Sequence, residues 1–352
     1  MIVCYHRSSS LGTLEFCEQK YFLQYNLGLK DKTNKKALMG TIVHKALQLL
    51  GDQKLCTLRG NKSFTDEELG RFKVQDCNNL PKITEKAFDY YQGHFPEVTL
   101  TKADLKTCTK WTEKAVAYQD GFCDPRNQNI FATEKFFDIE IKKPWAKYSY
   151  RVGKEKIEGY LSIKGTVDVI IQHDESYFEI LDYKTGKRIN WATGEEKTLE
   201  SLQKDTQLLL YYYALRNMYP DADFSVSIFY INSGGLFSMC FDDDDYEKAE
   251  QILKKKFLQI KKCERPKLLS DGNKHWKCQK LCKFSEPYKP GAKKSLCQHM
   301  RDEVRKKGVA KVVAEHGDVS KLATYGDGGG RLADTDKKGV GTLYICTRTI
   351  AS

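Results

Sequence analysis

Ile163-Lys164-Gly165-Thr166-Val167-Asp168-Val169-Ile170-Ile171, the polar His173-Asp174-Glu175-Ser176, and Tyr177-Phe178-Glu179-Ile180-Leu181-Asp182-Tyr183-Lys184 decide how this chain reads. Both outer runs are rich in β-branched and aromatic residues, and the tetrad between them reads as a hairpin turn. Asp is depleted from strands, and a carboxylate on a half-buried strand is costly unless something pairs with it. Asp168 and Asp182 fall on adjacent strands. Lys184, two residues past the second acid, shares its face of the pleat. The pattern predicts a small acidic pocket with a cation beside it, suited to a hard divalent metal and a phosphate.

Outward from this hairpin, the period of the apolar residues changes twice. Ser8-Ser9-Ser10 offers caps for a helix over Leu11–Asn26, and a second helix is predicted over Thr41–Leu50. The stretch from Thr65 to Phe122 reads as helical, broken at Pro81 and at Gly93-His94-Phe95-Pro96, with Ala103–Tyr118 its clearest helix. Phe131–Ile141 alternates like a strand, and Gly159–Tyr183 supplies two or three more. Leu199–Met218 returns to helix. Phe224–Ile231 and Leu236–Phe241 form a strand pair, and Asp242–Asp245 cap a basic helix that reaches Lys262. Helices, strands, one helix, strands and a helix predict an α/β fold, a mixed sheet flanked by helices with an N-terminal helical insertion.

The chain has 352 residues and is 40% hydrophobic, enough for a real core. No apolar run approaches the ~20 residues of a membrane span, and Met1-Ile2-Val3-Cys4-Tyr5-His6-Arg7 lacks a signal-peptide core. The expectation is an intracellular, cytoplasmic protein without membrane contact. Its net charge of +11 is uneven: residues 248–311 hold 20 Lys and Arg against 6 Asp and Glu, so the remainder is slightly acidic. That segment is either an ordinary solvated surface or a face for a polyanion. Twelve scattered cysteines in such a chain argue against a disulfide scaffold.

Further residues surround the hairpin in sequence. Gly40-Thr41-Ile42-Val43-His44 opens the predicted second helix, with small residues at its start and a histidine one turn in. Gln207 and Tyr211 lie four apart, on one face of a helix. Singly, His44 reads as a core histidine, Lys184 as a surface charge, Gln207 as a solvated position and Tyr211 as a core aromatic. Jointly and in this order they resemble the RecB-like branch of the PD-(D/E)XK nuclease superfamily over about residues 8–300. Gly40–His44, Gly165–Asp168, Asp182-Tyr183-Lys184, and Gln207 with Tyr211 match its successive motifs. The resemblance implies a restriction-endonuclease-like core. It also implies that Asp168, Asp182, His44 and the Tyr183 carbonyl hold Mg²⁺ or Mn²⁺, the histidine favouring Mn²⁺. The metal would activate a water and polarise the scissile phosphate, while Lys184 orients that water and offsets transition-state charge. Gln207 and Tyr211 would brace the site or touch the nucleic-acid backbone.

Cys278, Cys282 and Cys297 form a C-x₃-C-x₁₄-C pattern inside the basic segment. Unrelated thiols and a zinc site aided by His275 and His299 are two readings. Iron-sulfur members of the resembled branch suggest a third, in which Cys17 joins these three to hold a structural 4Fe-4S cluster. Trp276, Phe284 and Tyr288 sit among the lysines, either to stack on bases or to pack around the metal.

These readings converge on a metal-dependent DNA nuclease. The resemblance favours an exonuclease acting on single strands or free ends in recombination or repair. A structure-specific or nicking endonuclease is the nearer alternative, and a non-catalytic nucleic-acid binder the alternative of another class. No G-x-x-x-x-G-K-[ST] loop is present, so a helicase or recombination protein that works with it would be a separate chain. Residues 1–310 are read as one nuclease domain, comprising a helical region (1–125), a catalytic core (126–262) and a cysteine-rich basic segment (263–310). Residues 311–352 are a tail of unknown role, with 339–350 a strand or a loose extension.

Overall fold

The computed structural model describes residues 1–31, 33–189, 194–270, 274–319 and 322, so most of the tail, including 339–350, lies outside the described residues. Strand β1 (Tyr5–His6) leads into α1 (Ser8–Phe16), α2 (Glu18–Tyr21) and a π-helical turn (Phe22–Asn26). Next come α3 (Lys35–Leu58), the hairpin β2 (Ser63–Asp66) and β3 (Gly70–Lys73), α4 (Leu80–His94) and α5 (Lys102–Ala117). The middle of the chain supplies β4 (Ile130–Glu140), the hairpin β5 (Lys147–Val152) and β6 (Glu155–Tyr160), β7 (Ser162–Gln172), and β8 (Tyr177–Lys184). Then follow α6 (Leu199–Gln203), α7 (Thr206–Met218), β9 (Asp223–Tyr230), β10 (Gly235–Cys240), α8 (Asp243–Lys262), α9 (Trp276–Leu281), α10 (Leu296–Lys307) and α11 (Val309–His316).

Strand β7 is the spine of a six-stranded mixed sheet. Along one edge β4 pairs with it antiparallel from Ser162 to Ile171. Two strands share the other edge: β1 runs parallel at Ser162 and Ile163, and β8 antiparallel from Val169 to Gln172. Between Ile163 and Val169 that edge has no strand partner among the described residues. Strand β8 continues parallel to β9, which pairs antiparallel with β10. Helices cover both faces, as expected of the restriction-endonuclease-like α/β class. Ile42, Leu47 and Leu50 of α3 pack with Val169, Leu181 and Phe229 on one side. Leu11, Leu209 and Leu253 pack with Ile163 and Ile180 on the other.

Local chemistry moves several expected boundaries. Asn34 accepts the Ala37 N–H and starts α3 well before Thr41, so Gly40–His44 lies inside the helix rather than at its opening. Within Thr65–Phe122 the structure has the β2–β3 hairpin. Asp66 Oδ1 accepts the Glu68 and Leu69 N–H groups to build its turn, Gly70 takes φ +77°, and Phe64 stacks on Phe72. Pro81 does not break a helix. It stands in the first turn of α4, where its missing N–H costs nothing, and Asn79 caps that turn. The expected helix Leu11–Asn26 is interrupted at Cys17, which is extended at φ −170°, ψ 123°. The expected helix Leu199–Met218 is divided by Asp205, whose carboxylate accepts the Gln207 N–H and caps α7.

Candidate active site

The β7–β8 ladder ends at Val169–Leu181, one pair short of the point where Asp168 and Asp182 would face each other. Beyond it, Asp168 Oδ2 accepts the Tyr183 N–H at 2.9 Å, and the carboxylate stands in for the lost ladder bond. Tyr183 itself is buried, its hydroxyl donating to the Cys123 carbonyl at 3.1 Å. Asp182 is 1% exposed. It pairs with Lys184 Nζ at 2.6 Å, the same-face relation predicted by two-residue spacing. From α7, Gln207 Nε2 donates to Asp182 Oδ1 at 3.0 Å and lies 2.7 Å from Tyr211 Oη. Across the other face of the sheet, α3 brings His44 Nδ1 to 3.3 Å from Asp168 Oδ2. All six side chains named from the sequence for this pocket therefore lie in one connected network.

Glycines set two of these approaches. A Cβ on Gly40 would lie 2.9 Å from Thr185 Oγ1, just after β8, so glycine lets α3 come close to the end of that strand. A Cβ on Gly165 would collide with the Phe137 ring, which lies across β7 from β4. Lys45, next to His44, pairs with Asp66 at 3.1 Å and Glu68 at 2.7 Å. The β2–β3 hairpin thereby fixes the same turn of α3.

The charges are strongly coupled to their surroundings. Burial pushes the Asp182 carboxyl up to about 6, with Lys184 opposing and Asp168 reinforcing that shift. Asp168 is half-buried; desolvation opposes its charge, but His44 and Lys184 outweigh that and hold its carboxyl below the usual range. For His44 and Lys184 burial disfavours the cation. The two carboxylates prevail, and both groups titrate above their ordinary values.

One residue of the site escaped the sequence reading. Glu134 on β4 brings a carboxylate oxygen within 4.8 Å of ligand atoms on His44 and Asp168. Its backbone takes φ +43°, rare for a non-glycine residue. An acid in the aromatic-rich run Phe131–Phe137 was the available signal, since acids are depleted from strands. The trio offers one imidazole nitrogen and two carboxylates, a donor set that fits a Mg²⁺- or Mn²⁺-sized ion.

The four predicted cluster ligands also meet. Cys17, Cys278, Cys282 and Cys297 line one cavity together with Phe16 and Phe284. Cys17 stands at the α1–α2 break. There the Gln19 N–H donates to the Lys267 carbonyl at 3.1 Å, and Glu18 accepts the Lys267 N–H at 3.0 Å. Burial raises the Cys278 and Cys297 thiols, and pushes Cys282 up to about 11. Neither His275 nor His299 lines this cavity: His275 caps α9, and His299 stacks on Tyr288. Phe284 is buried, whereas Trp276 and Tyr288 are exposed. Among the described residues no helix is long and apolar enough to cross a membrane.

Among solved structures, the chain is similar to a candidate exonuclease from Eubacterium rectale, with 13% identity, 76% of this chain and 86% of that one covered, and a TM-score of 0.44. It is also similar to the protein SSO0001, with 15% identity, 60% and 84% coverage, and a TM-score of 0.23. Both likenesses are too distant to bear on function. No curated protein matches the sequence. The family model of the PD-(D/E)XK nuclease superfamily matches residues 8–286, a span that holds the whole carboxylate network, and the chain belongs to that superfamily.

Proposed function

We propose that this nuclease is a metal-dependent DNA exonuclease of the RecB-like, iron-sulfur type, acting on single strands or free ends in recombination or repair. The observation that carries the reading is the Asp182 carboxylate, held at once by Lys184 and Gln207 beside the His44–Asp168 pair. His44, Asp168, Asp182, the Tyr183 carbonyl and, in addition, Glu134 are the residues that would hold Mg²⁺ or Mn²⁺. When bound, the ion supplies Lewis acidity, making water a nucleophile near neutral pH and polarising the phosphate. Lys184 orients the attacking water and offsets negative charge gathering on the phosphate oxygens. Gln207 fixes the Asp182 carboxylate, and Tyr211 fixes Gln207.

In the same reading Cys17, Cys278, Cys282 and Cys297 hold a 4Fe-4S cluster that pins α2 to the C-terminal segment. Their shared cavity supports it. So does the stitching of residues 18–19 to Lys267. The histidines a zinc site would have recruited lie elsewhere, which favours four thiolates. Residues 1–310 act as one unit, because the helical region and the core pack on the same sheet.

The test is digestion of linear and closed circular DNA, single- and double-stranded, with Mn²⁺ or Mg²⁺. Linear DNA is shortened from its ends, circles survive, and Asp182→Ala is inactive. Cut circles would make the protein an endonuclease. Absence of any cleavage, or equal cleavage by the variant, would leave a DNA binder.

A further inference from the structure

We propose that the ion cluster of Lys45, Asp66 and Glu68 is a clamp that positions the metal site, in which Lys45 and Asp66 fix the approach of His44 to Asp168 and Glu134. The inference rests on the metal-site reading and deepens it, giving a task to the β2–β3 hairpin that the chemistry otherwise leaves idle.

The hairpin is a two-stranded sheet separate from the main one. Such a unit is marginal alone, and here it docks on α3. Lys45 reaches into it with a side chain only 9% exposed, meeting Asp66 Oδ2 at 3.1 Å and Glu68 Oε2 at 2.7 Å. Both acids are also held from their own side. Asp66 Oδ1 accepts the Glu68 and Leu69 N–H groups, and Glu68 accepts the Tyr91 hydroxyl of α4 at 2.7 Å. The ammonium therefore enters a socket whose walls are already fixed. A buried ion pair adds little net stability, and holding one register is its best-attested use. The register held here is that of α3 against the hairpin.

What that register controls lies one residue away. His44 precedes Lys45, about 100° around the helix, and its Nδ1 meets Asp168 Oδ2 at 3.3 Å. On the Lys45 face, Gln48 and Asp52 follow at helical spacing. Gln48 donates to Asp52 at 3.4 Å, and Asp52 accepts the hydroxyl of Thr133 on β4. At the other end Gly40 lies against Thr185, just after β8. From Gly40 to Asp52, about 18 Å of helix, α3 is thus tied at three points, and the clamp at Lys45 is the one beside the imidazole. A metal site needs its ligands held to about 0.5 Å, and those of His44, Glu134 and Asp168 all lie within 4.8 Å of one another. Without the clamp, the turn of α3 that carries His44 loses its only charged anchor among the described residues.

Metal binding can be measured without cleavage, by Mn²⁺ titration of the full-length protein followed by electron paramagnetic resonance. Lys45→Met keeps most of the side chain and removes its charge, while both acids retain the donors on their own side. Asp66→Asn keeps the Oδ1 acceptor of the turn and removes the charge that faces Lys45. Either variant is expected to bind Mn²⁺ about tenfold more weakly, the loss that follows removal of a group orienting a metal ligand. His44→Ala weakens binding as well. Adding Lys45→Met to His44→Ala weakens it no further, because the clamp acts through that imidazole. An equal fractional loss with and without His44 would mean general loosening of the fold and would overturn the proposal. So would wild-type affinity in Lys45→Met. Should that variant fail to fold, the same comparison with Asp66→Asn decides. The two failures are distinguishable: unchanged Mn²⁺ binding in His44→Ala overturns the metal-site reading and the clamp with it, whereas weakened His44→Ala beside unchanged Lys45→Met overturns the clamp alone.

Discussion

The Tyr183 N–H donates to Asp168 Oδ2 at 2.9 Å, at the place where the β7–β8 ladder has just ended. The carboxylate thus has two tasks, one as hydrogen-bond acceptor for a strand and one as charge. Asp168→Asn keeps an acceptor oxygen and loses the charge, whereas Asp168→Ala loses both. We expect the Asn variant to unfold in urea much like the wild type while cleaving DNA about 10²–10³-fold more slowly, the loss typical of removing one electrostatic contributor. The Ala variant should in addition lose about 1–3 kcal/mol, because a buried N–H is left unpaired. Near-normal cleavage by the Asn variant would show that the charge is dispensable.

Glu134 reaches the His44–Asp168 pair only through a strained backbone at φ +43°. Strain of this kind persists where surrounding structure holds it, and it clusters at functional sites. Two contacts hold it here: Asp52 accepts the Thr133 hydroxyl, and Gly51 lets α3 approach Thr133 closely. Glu134→Gln preserves shape and removes a ligand charge. Mn²⁺ titration followed by electron paramagnetic resonance should show affinity reduced by about 10-fold or more. Unaltered affinity would remove Glu134 from the metal site.

At Gly165 the space a Cβ needs is taken by Phe137. Gly165→Ala should cost about 1–3 kcal/mol through overpacking. Phe137→Leu shortens the ring that causes the collision, so the double variant should be more stable than the sum of the single changes predicts. Additive free energies in urea unfolding would mean that the clash is relieved elsewhere.

The β7–β8 hairpin and the Gln207–Tyr211 face were legible because their periods, 2 and 3.6, are short and their acids and amide stand out against apolar neighbours. Gly165 was visible as a motif member, yet its reason, the Phe137 ring on another strand, is a tertiary fact. Glu134 stood out only as an acid in a strand-like run, and its role was hidden for a related cause. Its contribution depends on one backbone angle and on the nearness of Asp168, 34 residues away in sequence. The β2–β3 hairpin was missed because its turn is made by the Asp66 side chain rather than by an Asn-Gly or Gly-Gly signal. Cys17 was marked only by the resemblance to iron-sulfur nucleases. The extended backbone that separates α1 from α2 at that point has no obvious local cause in Phe16-Cys17-Glu18.

Purified without oxygen, the protein should be brown and absorb near about 400 nm, from thiolate-to-iron charge transfer. Cys17→Ser is the informative variant, since Cys17 comes from the far end of the chain and reaches the others only in the fold. It should lose the colour and melt earlier, because metal binding to the native state contributes directly to stability. A colourless wild type with one zinc per chain would refute the cluster.

His6 on β1 is wholly buried, and burial holds its imidazole down to about 3, with Lys256 also disfavouring the cation. In the unfolded chain the same ring takes a proton near about pH 6.5. The unfolded state therefore binds more protons between these limits, and stability must rise with pH across them. His6 imposes no penalty above about pH 6.5. As the pH falls below that value it costs up to about 1.4 kcal/mol per pH unit, until the folded ring itself titrates. Carboxylates titrate at acid pH as well, so the comparison must be with His6→Leu, which removes this component alone. Urea unfolding at about pH 7.5 and about pH 5.5 should show a smaller loss in the variant than in the wild type. Equal losses would place the acid sensitivity elsewhere, and an increase in the variant would mean that His6 is charged in the folded protein.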